Sequence, residues 1–276
     1  MTPMERLFAS IPNLPSMPKV VQEMIASLED EDADIGGLVK QLRQDQSLSA
    51  RVLRLANSSY YGASHKVGAI DDAVTVIGLN ALRTIVIASG VTGAFTKVPG
   101  IDLQAFWRHG MVTAGVARQL GRMAGLSGEF AYTAGLMHRL GVLLIDLAFP
   151  EKGRQIAADC KDLSIAELAA IEQLHLQTDH TEVGAELARL WHFPAVIQSA
   201  LRWYADPLHD VASPHASVVH IAAQIAFGLE HEDAADKIIA DLSPAVLERV
   251  VLDKDRLAEV IDNSRELLAS ANQMLA

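Results

Sequence analysis

Apolar residues recur at helical spacing along most of the chain. A representative stripe is Val20, Val21, Met24, Ile25 and Leu28, in which residues three or four positions apart share one helix face. Similar stripes follow at short intervals, and many are preceded by a residue that can begin a helix. The pattern therefore predicts an all-α fold of helices joined by short connections.

One segment could also be read as a strand. Ala81–Val91 contains the consecutive β-branched residues Ile85, Val86 and Ile87. Because no partner strand is evident elsewhere in the sequence, we interpret the segment as a buried helix.

The predicted helix starts depend on individual capping residues. Asp34, Ser47, Asp71, Asn80 and Asp102 each stand at the beginning of an apolar stripe and are predicted caps. Ser164 and Glu167 have the spacing of a capping box, in which two side chains bond reciprocally to the first turn.

The clearest break in the pattern is Val98-Pro99-Gly100. It predicts an N-terminal helical lobe, residues 1–100, packed on a second helical lobe, residues 101–228. Residues 229–276 carry 11 acidic and 5 basic side chains and are predicted to form amphipathic helices with an acidic outer face.

Composition and charge narrow the class of protein. Half of the 276 residues are hydrophobic and 21% are charged, which is typical of a globular protein with a full core. The formal net charge of −11 disfavours nucleic acid and anionic membrane surfaces as partners. Apolar runs shorter than about 20 residues, a single cysteine and no secretory signal predict a cytoplasmic protein that does not insert into membranes.

Candidate chemistry is concentrated in the histidines, because the sequence contains no phosphate-binding glycine loop, HExxH helix or GxSxG motif. His109, His138, His175 and His180 lie in the central helical block at separations that suit different helices of one bundle. Imidazoles that share a cavity could bind metal, but divalent sites for phosphate chemistry usually also need carboxylates.

The spacing from His109 to the segment Ala134-Gly-Leu-Met-His-Arg-Leu-Gly141 resembles the metal framework of the HD phosphohydrolase superfamily, including its HD-GYP branch. In that superfamily the residue after the second histidine is a metal-binding aspartate. Here it is Arg139, which has no lone pair to donate and places positive charge where a dication would lie. Val142 stands where the superfamily often has a lysine.

Further along the chain, the segments 178–185 and 190–194, which contain Asp179 and His180, resemble the next helical block of the superfamily. A pair of histidines usually follows this block. The matching helix carries Trp203 and Tyr204 at those positions. The resemblance therefore implies a degenerate cavity lined by His109, His138, Arg139, Asp179, His180, Trp203 and Tyr204, with no catalytic residue, no metal ligand set and no cofactor.

The N-terminal segments resemble a specific branch of that superfamily. Leu14-Pro-Ser-Met-Pro18, the block from Gln44 to Ser58, Ala69–Val74 and Ile77-Gly-Leu79 together look like the HDOD module, the HD-related output domain of bacterial signalling proteins. The resemblance extends from about residue 14 to residue 228, and the block that begins Gln44-Asp45 is its most specific part.

This resemblance implies a non-catalytic output or adaptor module that acts through protein–protein contacts. The partners would be signalling proteins, such as a histidine kinase or a diguanylate-metabolising enzyme. Two alternatives remain open at this point. The degenerate cavity could sense a nucleotide or phosphate paired with Arg139, or His109, His138, His180 and Asp179 could hold a metal in a rearranged hydrolase site.

The segment Asn57–Gly68 is rich in turn-forming residues and predicts a loop. Asn57, Tyr60 and Tyr61 are its candidate recognition residues, because tyrosines offer amphipathic contact area at low entropic cost. The sequence therefore predicts an interaction surface at this loop and the groove that it borders.

Overall fold

A computed structural model describes residues 1–30, 34–57, 66–159 and 164–275. Within these ranges the chain forms helices and no strands, which confirms the predicted all-α class. The helices are α1 Pro3–Ser10, α2 Lys19–Ala26, α3 Ile35–Leu42, α4 Gln46–Ala56, α5 Ile70–Ile77, α6 Leu79–Ala94, α7 Leu103–Met123, α8 Gly128–Met137, α9 Leu140–Ala148, α10 Pro150–Asp159, α11 Ile165–Leu176, α12 His180–Leu190, α13 Ala195–Trp203, α14 Pro214–Glu230, α15 Ala235–Asp241, α16 Pro244–Arg249 and α17 Lys254–Leu275.

Helix α6 organises the N-terminal part of the molecule. Every residue from Thr84 to Val91 is buried, so this β-branched segment is a core helix, as predicted. Helices α2, α4 and α5 pack around it. Gly90 allows the close approach of α2, because a Cβ at this position would lie 2.5 Å from a methyl carbon of Val21.

Helix α7 is the axis of the second part. It packs against α8, α14 and α17, and its middle is buried almost all round. Gly135 of α8 lies directly on α7, since a Cβ there would be 3.0 Å from the Cα of Ala114. The C-terminal helix α17 also packs on α7, although the sequence of α17 is rich in charged residues.

Polar and aromatic contacts join the two parts across their shared apolar core. Thr84 of α6 donates a 2.5 Å hydrogen bond to Glu129 of α8, which also accepts from Arg118 of α7 at 2.9 Å. The indole of Trp191 donates to the carbonyl of Pro15 at 3.2 Å. Buried residues from both parts form one continuous hydrophobic cluster. The division at residues 100 and 228 stays a prediction.

Several capping residues are as predicted. Asp34 and Asp102 accept hydrogen bonds from the first turns of α3 and α7, and Ser164 and Glu167 form the capping box of α11. The predictions for Ser47, Asp71 and Asn80 are wrong, and Asp71 lies inside the first turn of α5, which follows Ala69. Asp45 caps α4 instead, and Asn80 lies inside α6, which follows Gly78 directly.

The stretch Gly128–Ala148 is long and apolar enough to cross a membrane by length and composition alone. It comprises α8 and α9, and 78% of its apolar window is buried inside the fold. A core position of this kind is consistent with a soluble protein.

Candidate functional site

Four buried polar rings meet where the helices of the second part converge. We call His109, His138, His180 and Tyr204 the ring cluster. Ring centroids are 5.3 Å apart for His109 and His138, 5.2 Å for His138 and Tyr204, and 5.7 Å for His180 and Tyr204. Each of these residues is at most 8% exposed. The structure therefore brings together four of the seven side chains that the sequence placed in a degenerate cavity.

The ends of helices position three of the four rings. His138 directly follows α8, His180 is the first residue of α12, and Tyr204 directly follows α13. His109 comes from the middle of α7, next to Gly110, where a Cβ would lie 3.2 Å from the carbonyl oxygen of Leu136. The close packing of α7 on α8 thus sets His109 against His138.

His180 has a partner at both ring nitrogens. Its Nδ1 lies 2.5 Å from Oε2 of Glu172, and its Nε2 lies 2.5 Å from the hydroxyl of Tyr204. The backbone N–H of His180 also donates to Glu172 at 2.8 Å. Glu172 is 2% exposed, so a buried carboxylate, imidazole and phenol form one chain of hydrogen bonds.

The other two histidines are held by their Nδ1 atoms. His138 Nδ1 donates to the carbonyl of Gly135 at 2.7 Å, and His109 Nδ1 lies 2.9 Å from Oε2 of Glu230 at the end of α14. These partners fix the orientation of both rings.

Burial determines the charge of the cluster. It lowers the pKa of His109, although a hydrogen bond that His109 donates to Glu230 raises it, and it lowers the pKa of His138 well below the usual value. The positive charge of Arg139 lowers both pKa values further. Burial raises the pKa of the Tyr204 hydroxyl. His109, His138 and Tyr204 are therefore neutral at neutral pH.

Asp179 and Arg139 flank the cluster. Asp179 caps α12, where its Oδ1 accepts from the backbone of Thr181 at 2.8 Å and of Glu182 at 3.0 Å and from the Thr181 hydroxyl at 2.6 Å. Arg139 precedes α9, with its guanidinium 5.7 Å from the ring of Phe106. Both residues act on the buried rings through their charge rather than through a hydrogen bond described in the structure.

Trp203 is not part of the cluster. Its ring stacks on His209 at 3.8 Å, and the guanidinium of Arg202 lies 4.4 Å from it on the molecular surface side. The predicted pairing of Trp203 with Tyr204 in one cavity is therefore wrong. Of these two neighbours, only Tyr204 points inward.

The predicted interaction surface is only partly within the described chain. Asn57 ends α4, and its amide donates to the carbonyls of Leu53 and Val67 and accepts from the N–H of Val67, all within 2.8 Å. Its side chain thus holds the two ends of the loop together. Tyr60 and Tyr61 lie outside the described residues, and their role stays a prediction.

Sequence reasoning missed Glu172 and Glu230, which hold His180 and His109. A signal for Glu172 was present, because it lies on the same helical stripe as Ile165, Leu168 and Leu176. An acidic residue on an apolar stripe indicates a buried carboxylate with a partner. No such pattern marks Glu230, which is far from His109 in sequence.

The metal site of the HD superfamily does not fit the residues at this place. Arg139 offers no lone pair, and the Nε2 atom of His180 is engaged by Tyr204. Across the described parts of the chain, no three His, Cys, Asp or Glu side chains converge as metal ligands. Instead, Glu172, His180 and Tyr204 form a chain of hydrogen bonds. The Nδ1 atoms of His109 and His138 bond to Glu230 and to the carbonyl of Gly135.

A buried carboxyl beside this network carries a pH prediction. Burial and the charge of Glu172 raise the pKa of Asp146 from 3.8 to about 6, despite Arg154. A raised pKa means that the folded state binds more protons than the unfolded state between about pH 4 and 6, so this group lowers stability as the pH rises through that range.

Asp146→Asn removes this titration. The free energy of unfolding of the variant, relative to the wild type, should rise between pH 4 and pH 7 by at most about 3 kcal/mol, and by less where solvent screens the charge. Urea unfolding of both proteins at several pH values measures the difference, in which titrations common to both cancel. A difference that is flat with pH would contradict the prediction.

The sequence profile of the HDOD domain matches residues 14–207. The chain belongs to the HDOD family. The match begins at residue 14 and ends just beyond Tyr204, so all four rings of the cluster lie inside the HDOD domain. The resemblance seen in the sequence is thereby confirmed.

Relatives of this HDOD protein share its architecture. A solved structure from Shewanella amazonensis SB2B, provisionally named a phosphohydrolase, is 31% identical, with a TM-score of 0.83 and 98% of each chain covered. One from Marinobacter aquaeolei VT8, provisionally named a signal transduction protein, is 23% identical, with a TM-score of 0.76, and covers 99% of this chain and 65% of that one. The second likeness shows the fold alone.

Among curated proteins, an uncharacterized protein of Treponema pallidum (strain Nichols) is 25% identical over 203 residues, or 72% of this chain. The chain matches only 39% of the length of that relative.

Proposed function

We propose that this HDOD protein is a non-catalytic output or adaptor module of bacterial signal transduction that acts through protein–protein contacts. The observation that carries the proposal is the ring cluster, in which the hydroxyl of Tyr204 engages Nε2 of His180. Where a hydrolase of the HD superfamily needs open metal positions, this chain has Arg139 after His138 and a Tyr204 hydroxyl on His180.

The signalling context is supported by membership of the HDOD family. We propose signalling proteins as the partners, such as a histidine kinase or a diguanylate-metabolising enzyme, and the cytoplasm as the compartment. The net charge of −11 favours protein partners over nucleic acid.

The catalytic part of the proposal is tested by metal content and hydrolysis. The purified protein should contain no stoichiometric iron, manganese or zinc and should not hydrolyse cyclic dinucleotides or bis(p-nitrophenyl) phosphate. Arg139→Asp alone should not create activity, because the hydroxyl of Tyr204 still engages Nε2 of His180. Elemental analysis and product chromatography, with and without a chelator, provide the measurements.

One metal per chain together with chelator-sensitive hydrolysis by the wild type would overturn the proposal in favour of an enzyme. The double variant Arg139→Asp with Tyr204→His serves as the matched control, since it restores a carboxylate and a second imidazole at the cluster. Metal uptake by this double variant but not by Arg139→Asp alone would show that Arg139 and Tyr204 together prevent metal binding in the wild type.

The adaptor part is tested by recovering the tagged protein from its native bacterium. A specific signalling protein should co-purify, and the complex should form again from the two purified components. If the protein is recovered without a partner protein but with a bound nucleotide, that result would instead favour the alternative in which the cavity senses a nucleotide.

A further inference from the structure

A cavity of about 290 Å³ lies between the N-terminal helices and α7, away from the ring cluster. Helix α4 contributes Arg51 and Arg54, α6 contributes Ser89, and α7 contributes Trp107 and Met111. Ligand sites in proteins are commonly concave, largely apolar and located between structural units, with a few convergent polar groups. This cavity has each of those features.

The mouth of the cavity is cationic in an acidic protein. Arg51 and Arg54 are three residues apart on α4 and so lie on the same side of the helix. No carboxylate lines the described cavity wall, and neither arginine forms an ion pair with a described residue. Elsewhere, arginines such as Arg189 and Arg202 are paired with glutamates. Two arginines without such partners at one cavity favour an anion.

Buried polar atoms in the cavity wall lack partners. The Oγ of Ser89, a residue that is 0% exposed, has no hydrogen-bond partner among the described residues, and the same holds for the buried Nε of Arg51. Polar groups buried in native proteins are nearly always hydrogen-bonded, and exceptions call for a missing partner. An acceptor bound in the cavity would supply that partner.

Gly93 leaves the space in which the guanidinium of Arg51 lies. A Cβ at residue 93 would lie 3.0 Å from Cζ, 3.1 Å from Nη2 and 3.2 Å from Nε of Arg51. Three such similar distances mean that the face of the guanidinium lies over the glycine. The missing side chain therefore lets Arg51 lie flat along the wall. Among the described residues, its Nη1 alone has a partner, the hydroxyl of Ser47 at 3.1 Å.

The rest of the lining suits a flat apolar body. The rings of Phe95 and Trp107 are 6.2 Å apart and tilted by 56°, and Met111 lies beside them. A volume of about 290 Å³ is at the lower end of the range for small-molecule sites, which favours a ligand of one or two rings over a dinucleotide.

We propose that this interlobe cavity binds a small aromatic anion. Arg51, Arg54 and Ser89 hold its carboxylate or phosphate group, and Phe95 and Trp107 pack against its ring. The site lies between elements of both lobes, so an occupant contacts α4, α6 and α7 together. The proposal needs neither a protein partner nor catalysis, and its failure is therefore separate from that of the proposed function.

Isothermal titration calorimetry of the full chain tests the proposal with four probes. Benzoate and phenyl phosphate carry both the ring and the charge, benzyl alcohol carries the ring alone, and inorganic phosphate carries the charge alone. We expect at least one aromatic anion to bind at least tenfold more tightly than both of the latter. Preference between benzoate and phenyl phosphate identifies the acidic group.

Variants test where the probe binds. The double variant Arg51→Gln with Arg54→Gln should weaken binding at least tenfold, and Gly93→Ala should weaken it by displacing the guanidinium of Arg51. Arg6→Gln, at an exposed arginine outside the cavity lining, should leave binding unchanged. Circular dichroism confirms that each variant is folded.

Three results would overturn the proposal. They are no binding of either aromatic anion at millimolar concentration, equal binding of benzyl alcohol, or binding that the double variant retains.

Discussion

Replacing Gly141 with alanine is expected to destabilise the protein by more than about 3 kcal/mol or to prevent folding. Gly141 lies at the start of α9, where that helix crosses the first residue of α12. A Cβ at this position would overlap the carbonyl oxygen of His180 and lie 2.7 Å from its carbonyl carbon and 2.8 Å from its Cα. These atoms belong to backbone, so no side-chain rotation relieves the overlap, and α9 and α12 would have to separate.

Gly184→Ala is the matched control at the same crossing. Gly184 lies on α12, and a Cβ there would be 3.5 Å from the backbone nitrogen of Gly141, an ordinary contact. Since alanine favours a helix over glycine by up to about 1 kcal/mol, this variant should be neutral or slightly stabilised. Urea unfolding compares the two.

Equal stability of the two variants would contradict the close crossing of α9 and α12. That crossing matters for the site, because Gly141 is three residues after His138 and touches His180. The separation of these two histidines is therefore set largely by a glycine that takes no part in hydrogen bonding of the cluster.

Local signals were sufficient for much of the fold. Apolar stripes and capping residues predicted helices such as α3, α7 and α11, because a helix needs one buried face and a satisfied first turn. Helix α10 was missed because its only deeply buried apolar side chain is Ile156, which leaves no stripe to read. Helix α1 was missed although Thr2 and Glu5 form a capping box with Pro3 between them.

Misassigned caps have a common cause. Ser47, Asp71 and Asn80 are good capping residues, but the residue that precedes each of their helices lies two positions earlier. A capping side chain is read correctly only when no competitor precedes it, and sequence alone does not rank such neighbours.

The site shows a similar limit. The histidines of the ring cluster were found by resemblance and spacing, whereas Trp203 was placed with them in error. In the structure the ring of Tyr204 packs on His138 and His180. The ring of Trp203 stacks on His209 instead, a contact that no pattern in the sequence indicates. The role of Glu230 could not be predicted from the sequence, because its contact with His109 joins residues 121 positions apart.

Glu172→Ala is expected to destabilise the protein by about 2 to 5 kcal/mol, because it leaves His180 buried without its partner. Glu172 accepts from both the backbone N–H and the ring of His180, and both side chains are at most 2% exposed. Gln173→Ala, at the exposed neighbour on α11, is the matched control and should cost less than about 1 kcal/mol.

Glu172→Gln separates the loss of a hydrogen bond from the loss of charge. Its amide oxygen can still accept from the His180 backbone, so it should be more stable than Glu172→Ala, and the absence of charge should lower the pKa of Asp146. Chemical unfolding gives the stabilities, and carbon-detected NMR of the carboxyl of Asp146 gives its pKa. An alanine variant as stable as the Gln173→Ala control would show that His180 is held without Glu172. It would contradict the chain of hydrogen bonds on which the non-catalytic proposal depends.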